Sequence, residues 1–159
     1  MNCHRSKTQR TKVWRKLRRG AAAVECAMVM PLLFLIVFGA IDVGQFINVS
    51  QIMDAASREG ARRASRNTVT NVSEVEAAVQ SYLAGAFPGV PASELNAALT
   101  VNVRDSSGNS LLDGNLTTIP TGSSLSVEVS FQYNTVRWLN GFAGVDGQSL
   151  QTTTVMRRD

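Results

Sequence analysis

Three features of the 159-residue chain predict an α+β fold with a long N-terminal transmembrane and stalk helix, a second short helix and a small antiparallel sheet. The first is an apolar run from Gly20 to Ile41 whose one charged residue is Glu25. Those 22 residues make a helix of about 33 Å, enough for a hydrocarbon core of about 30 Å. The second is a helical period that persists after the apolar run ends. The third is a switch to a period of two from Leu99 onward, the signature of half-buried strands.

Each element follows from its own pattern. Pro31 lies inside the apolar run and removes a backbone donor, so the helix is expected to bend there. From Asp42 the composition becomes polar, yet Phe46, Val49, Met53, Ala56, Gly60 and Ala64 recur at spacings of three and four. One stripe of a single helix therefore continues to about Arg66, with Asp54/Arg58 and Glu59/Arg63 as acid-before-base pairs on exposed faces. Asn67 to Asn71 interrupts it, and Ser73-x-x-Glu76 predicts a capping box for a second helix with Val75, Ala78, Val79 and Tyr82 on its apolar face and Gly85 at its end. Pro88-Gly89-Val90-Pro91 reads as a connector. Leu99 to Arg104, Leu125 to Tyr133 and Leu150 to Met156 are the predicted strands, separated by turn chemistry such as Asp105-Ser-Ser-Gly108-Asn109. The inward face of the second strand needs a cover, and the two helices supply it.

Charge is divided unevenly. Residues 1–19 carry eight Lys or Arg and no acid, whereas from Ala21 onward there are eight basic and twelve acidic residues. The overall +4 thus belongs to the head of the chain, and the remainder is net acidic. Lys and Arg beside a first apolar segment stay cytoplasmic, so the N-terminus is expected inside and the C-terminal domain outside the inner membrane. No aromatic and basic interleaving follows the basic head, and nucleic acid is not an expected partner. The expected organisation is a basic cytoplasmic leader (1–20), a transmembrane and stalk helix (21–66) and an extracytoplasmic α+β domain (67–159).

Catalytic chemistry finds little footing. The one histidine, His4, lies in the leader, so a Ser–His pair is not available to the outer domain. Cys3 and Cys26 lie in the leader and the apolar segment, which leaves the outer domain without a disulfide and without zinc ligands of the usual kind. The acidic turns at Asp105 to Asn109 and Asp113 to Asn115 lack the terminal Glu of a calcium loop. No enzyme activity, metal or cofactor is expected. Arg62, Arg63 and Arg66 read as a solvated face.

Glu25 is the residue that asks for a function. A carboxylate at membrane depth costs on the order of 2.5–3.5 kcal/mol on insertion scales, so it needs a partner or a task. Basic residues, Gly20, four small or apolar residues, Glu25 and a long apolar run resemble the type IV prepilin leader. The wider pattern is similar to the TadE family of pseudopilins: Gly20, Glu25, Pro31, Asp42, Gly44 and Arg58-Glu59-Gly60-Ala61-Arg62 fall in order between residues 18 and 63. Cys26 departs from it, standing where the family usually has an aromatic. The resemblance implies cleavage after Gly20 by a prepilin peptidase on the cytoplasmic side, with the apolar helix retained. Ala21 then carries a new ammonium, four residues from Glu25 or on a neighbouring subunit, and the two charges could satisfy each other and set the register between packed helices. The small residues Ala40-x-x-x-Gly44 and Ala56-x-x-x-Gly60-x-x-x-Ala64 allow close helix approach, the second set either to another helix or to the protein's own sheet.

The expected function is that of a minor pseudopilin-like structural component of a Tad-type (tight adherence) pilus or secretion system, able to enter a surface fibre. Its expected partners are the prepilin peptidase, other pilin and pseudopilin subunits, the Tad assembly machinery and the lipid bilayer. The alternative is an uncleaved single-span protein with an outer ligand-binding or adhesion domain.

Overall fold

The computed structural model describes residues 7–111, 114–137 and 147–159, with side chains at residue 20 and from residue 22 onward. Cys3, His4, Asp113 and the side chain of Ala21 lie outside the described residues. Helix α1 spans Lys7–Ala64 without a break and contains Pro31. The chain divides into two compact units, Met1–Ile41 and Asp42–Asp159, so the boundary falls within α1 at the end of the apolar run.

In the second unit, α1 is followed by α2 (Val72–Ala86), α3 (Ala92–Ala98), β1 (Leu99–Arg104), β2 (Ser124–Gln132) and β3 (Ser149–Arg157), with 3-10 turns at Leu116–Thr118 and Tyr133–Thr135. The three strands form an antiparallel meander in the order β1-β2-β3. This is the α+β arrangement expected from the switch in period.

The core lies between the helices and one face of the sheet. Leu125, Val127, Val129 and Phe131 alternate with half-exposed neighbours along β2 and are buried, as is Tyr133 just beyond. Removing side chains of this size from water stabilises the fold by about 1.5–3 kcal/mol each. From α1 the stripe Val49, Met53, Ala56, Gly60 and Ala64 faces them, and from α2 Val75, Val79 and Leu83. Phe87 stacks on Phe131 at 6.4 Å between ring centroids. The opposite face of the sheet is polar, with Arg104 of β1 pairing Glu128 of β2 at 3.2 Å.

Several local expectations are corrected. Helix α2 begins at Val72, one residue before the proposed cap, and Asn71 stands at its N-cap without a side-chain bond. A tertiary partner takes the place of the capping box: the Val72 amide donates to the Gly114 carbonyl, and the Leu116 amide to that of Thr70. Gly85 lies within α2, which ends at Ala86. The stretch after Pro91 is the short helix α3, too short to show a period in the sequence. Glu59 pairs with Arg62, three residues on, rather than with Arg63, and Asp54 accepts a bond from the Thr152 hydroxyl at 2.6 Å. Arg63 instead reaches Glu74 of α2 at 3.9 Å.

The C-terminus closes the unit. Arg158 is 3% exposed and donates to the carbonyls of Leu116 and Val69, while the Asp159 amide donates to the Ser65 carbonyl. The two residues after β3 thereby bind the loop that follows α1.

Candidate functional site

In the first unit, the functional candidates lie on one uninterrupted helix. Gly20, Glu25 and Cys26 are exposed, and so is nearly every side chain from Ala22 to Ile41. Leu32, Leu33, Phe34, Leu35 and Ile36 each keep at least half of their surface. An apolar surface of this length, all round the helix, has no place in water and suits a bilayer or other apolar helices. From Ala22 the helix is long and apolar enough to cross a membrane. Ala21 and Glu25 are four residues apart in α1, hence on one face and separated by about 6 Å of rise. Pro31 sits among the apolar residues, and Ala40 is exposed.

The two sets of small residues have different surroundings. A methyl group added at Gly44 would meet nothing within 4 Å, and Gly44 is exposed. Added at Gly60, it would come within 2.8 Å of Val79 Cγ2 and 3.4 Å of Val127 Cγ1. Ala56 and Ala64 are fully buried. The second set therefore packs α1 against α2 and the protein's own sheet, the intramolecular one of its two expected roles.

The second unit begins with a buried polar and aromatic cluster around Asp42. Asp42 is fully buried, and its Oδ2 accepts a bond from the Arg137 guanidinium at 2.9 Å; the Arg137 side chain is 1% exposed. One turn on, Gln45 donates from Nε2 to the Val136 carbonyl at 3.0 Å. Phe46 then meets Tyr133 edge to face at 5.3 Å, and the Arg137 guanidinium lies 5.9 Å from the same ring. Burial pushes the Tyr133 phenol above its ordinary value, and the Asp42 charge adds to that, with Arg137 opposing. Asp42 stands out in the sequence as the first charge after the apolar run. Its partner does not, although Arg137 is the sole basic residue between Arg104 and Arg157.

The arginines near the end of α1 are partly engaged. Arg62 holds Glu59 through two bonds of 2.6 and 2.9 Å, which lowers the Glu59 pKa. Arg63, Glu59, Glu74 and Tyr82 line an open groove between α1 and α2. Among the described residues, no group of three His, Cys, Asp or Glu side chains could hold a metal ion. Asp105 serves a turn: its carboxylate accepts from the amides of Ser107 and Asn109, and the Asn109 bond is the main cause of its lowered pKa.

Residues 20–62 match a family model described as TadE-like protein, the family that the N-terminal motif resembles. The match starts at Gly20 and ends inside the packed part of α1. No curated protein and no solved structure gives a match.

Proposed function

We propose that this chain, whose TadE-like segment implies a component associated with a Tad pilus, is a minor pseudopilin-like structural subunit cut by a prepilin peptidase after Gly20 and assembled through its N-terminal helix. The observation that carries this reading is that the family match begins at Gly20 and runs along the whole exposed apolar surface of α1. The helix anchors the chain in the membrane. The eight basic residues of the leader favour a cytoplasmic N-terminus, which directs the unit from Asp42 onward to the extracytoplasmic side.

The division of labour follows from where the core lies. The outer unit satisfies its own apolar surface, so the helix surface before Asp42 is left for lipid before assembly and for neighbouring helices after it. Cleavage after Gly20 frees the Ala21 amine on the same helix face as Glu25, and a low-dielectric setting makes their attraction strong. Ala40 and Gly44, small and exposed, allow a neighbouring helix to come close.

The test is the mass and N-terminal sequence of the membrane-extracted protein, in cells with and without the cognate peptidase. A chain starting at Ala21 in the first and at the leader in the second is expected, and Gly20→Leu should keep the leader in both. A Gly20→Leu protein with a free Ala21 amine would overturn the prepilin reading. An uncut wild-type chain would favour a single-span protein with an outer binding domain.

A further inference from the structure

Helix α2 carries more apolar surface than its own unit buries. Val75, Val79 and Leu83 lie in the core, but Ala78 is only half-buried and Tyr82 is 40% exposed. Among the described residues from Asp42 onward, Tyr82 is the one exposed aromatic side chain. It lines a groove of about 510 Å³ between α1 and α2, together with the small side chains of Ala77, Ala78 and Ser81. Glu74, Ala78 and Tyr82 follow one another at intervals of four, so along α2 the groove runs from a carboxylate over small side chains to an aromatic ring.

The same groove holds an ion pair that is not closed. Arg63 Nη2 lies 3.9 Å from Glu74 Oε2, beyond hydrogen-bonding distance, and the two side chains are 42% and 40% exposed. Arg63 Nε is withdrawn from solvent and has no hydrogen-bond partner. Glu59, the other carboxylate at the groove, is taken by Arg62 through two bonds. One cation and one anion therefore stand side by side at the groove, each with bonding capacity to spare.

A two-fold axis sets a patch against itself, so a patch docks on a second copy only where it holds both halves of each contact. A patch of one sign would repel its copy, and a ring without a hollow would have nowhere to go. This groove has both signs of charge, and both a projecting ring and a hollow lined by small residues. We infer that the groove between α1 and α2 is a two-fold docking surface for a second copy of this chain. Each Tyr82 enters the other copy's groove beside Ala78, and the two Arg63 and Glu74 pairs close into a ring of four alternating charges. Each guanidinium thereby gains a carboxylate of the other copy, in surroundings that the two rings shield from water. Tyrosine and arginine are enriched among the side chains that dominate binding energy. The contact uses the Asp42–Asp159 unit alone, and its small area makes the dimer weak and reversible.

The test follows the full chain in detergent micelles by sedimentation equilibrium at matched solvent density, over a range of protein concentrations. A reversible dimer is expected. Arg63→Glu leaves two acids at the groove and Glu74→Arg leaves two bases. Each variant alone should dimerise at least about tenfold more weakly, because like charges then meet across the axis. Mixed in equal amounts, the two variants should pair with each other and recover the wild-type dimer. Both lack the Arg63 and Glu74 pair within the copy, so an effect on folding cannot produce that recovery. Tyr82→Ala should weaken the dimer at least about tenfold, since a ring is lost on each side of the axis. A chain that stays monomeric would overturn the proposal and leave the groove to a different chain or to none. So would a mixture no tighter than its components, or a dimer indifferent to these substitutions, as association through the apolar run alone would give. None of these measurements depends on cleavage after Gly20, so either result leaves the pilus reading to its own test.

Discussion

At the scale of single residues, the Asp42–Arg137 pair carries more of the structure than its size suggests. Both side chains are withdrawn from water, and removing one partner leaves the other as a buried charge, at a cost of about 3–5 kcal/mol. Arg137→Met should therefore lower the stability of the Asp42–Asp159 unit by about that amount in urea unfolding of the full chain in micelles. The double change Asp42→Leu with Arg137→Met should recover most of the loss, since no lone charge remains. Tyr133 gives a second prediction, on pH. Its folded pKa is raised above the ordinary 10.0, so the unfolded chain ionises first. The contribution is fully present below pH 10 and is lost as pH rises through the folded value. Tyr133→Phe keeps the edge-to-face contact with Phe46 and should change stability at neutral pH by less than about 1 kcal/mol. It should also remove the part of the alkaline loss that begins near pH 10, as read from unfolding midpoints across that range.

At the scale of elements, α1 serves two environments, and its glycines mark the difference. Gly60→Ala places a methyl 2.8 Å from Val79 Cγ2 in a filled core, an overpacking cost of about 1–3 kcal/mol against a helix-propensity gain of about 1. A net loss of about 1 kcal/mol is expected in chemical unfolding, relieved in the Gly60→Ala, Val79→Ala double variant. At Gly44 an added Cβ meets nothing within 4 Å among the described residues, so Gly44→Leu should leave the unfolding midpoint of the Asp42–Asp159 unit unchanged, within about 0.5 kcal/mol. Fibre assembly should still fall if Gly44 is a close-approach position between subunits. An unaltered fibre yield from Gly44→Leu would remove it from the assembly surface.

At the scale of the whole molecule, Glu25 is the test of how the subunit is used. Pairing with the new Ala21 amine predicts that Glu25→Gln is inserted and cut normally, while surface fibres fall at least about tenfold, the equivalent of about 1.4 kcal/mol. A carboxylate that merely reaches back to the interface predicts normal fibres with insertion unchanged or slightly improved, since its removal from an apolar segment is favourable. Fibre counts beside a blot for processing separate the two, and normal fibres from a fully cut Glu25→Gln protein would end the assembly role.

The sequence by itself determined what depends on local periodicity and on composition. The apolar run, the stripe from Phe46 to Ala64, the alternation along β2 and the eight cations of residues 1–19 each repeat a signal many times over, so one exception cannot hide it. The motif from Gly20 to Arg62 was legible for the same reason, being a contiguous pattern on one helix. Only the tertiary structure decided the pairings that span the chain. Asp42 and Arg137 are 95 residues apart, and nothing in the vicinity of either names the other. The helix starts at Val72 rather than after a Ser73 cap, and its first amide donates to the Gly114 carbonyl, an acceptor that only the fold brings near. The small residues at 56, 60 and 64 fit two partners equally well in the sequence, and the positions of Val75, Val79 and Val127 chose between them. Likewise three strands can be read from alternation, but where residues 105–111 fold back along β1 is a property of the assembled sheet.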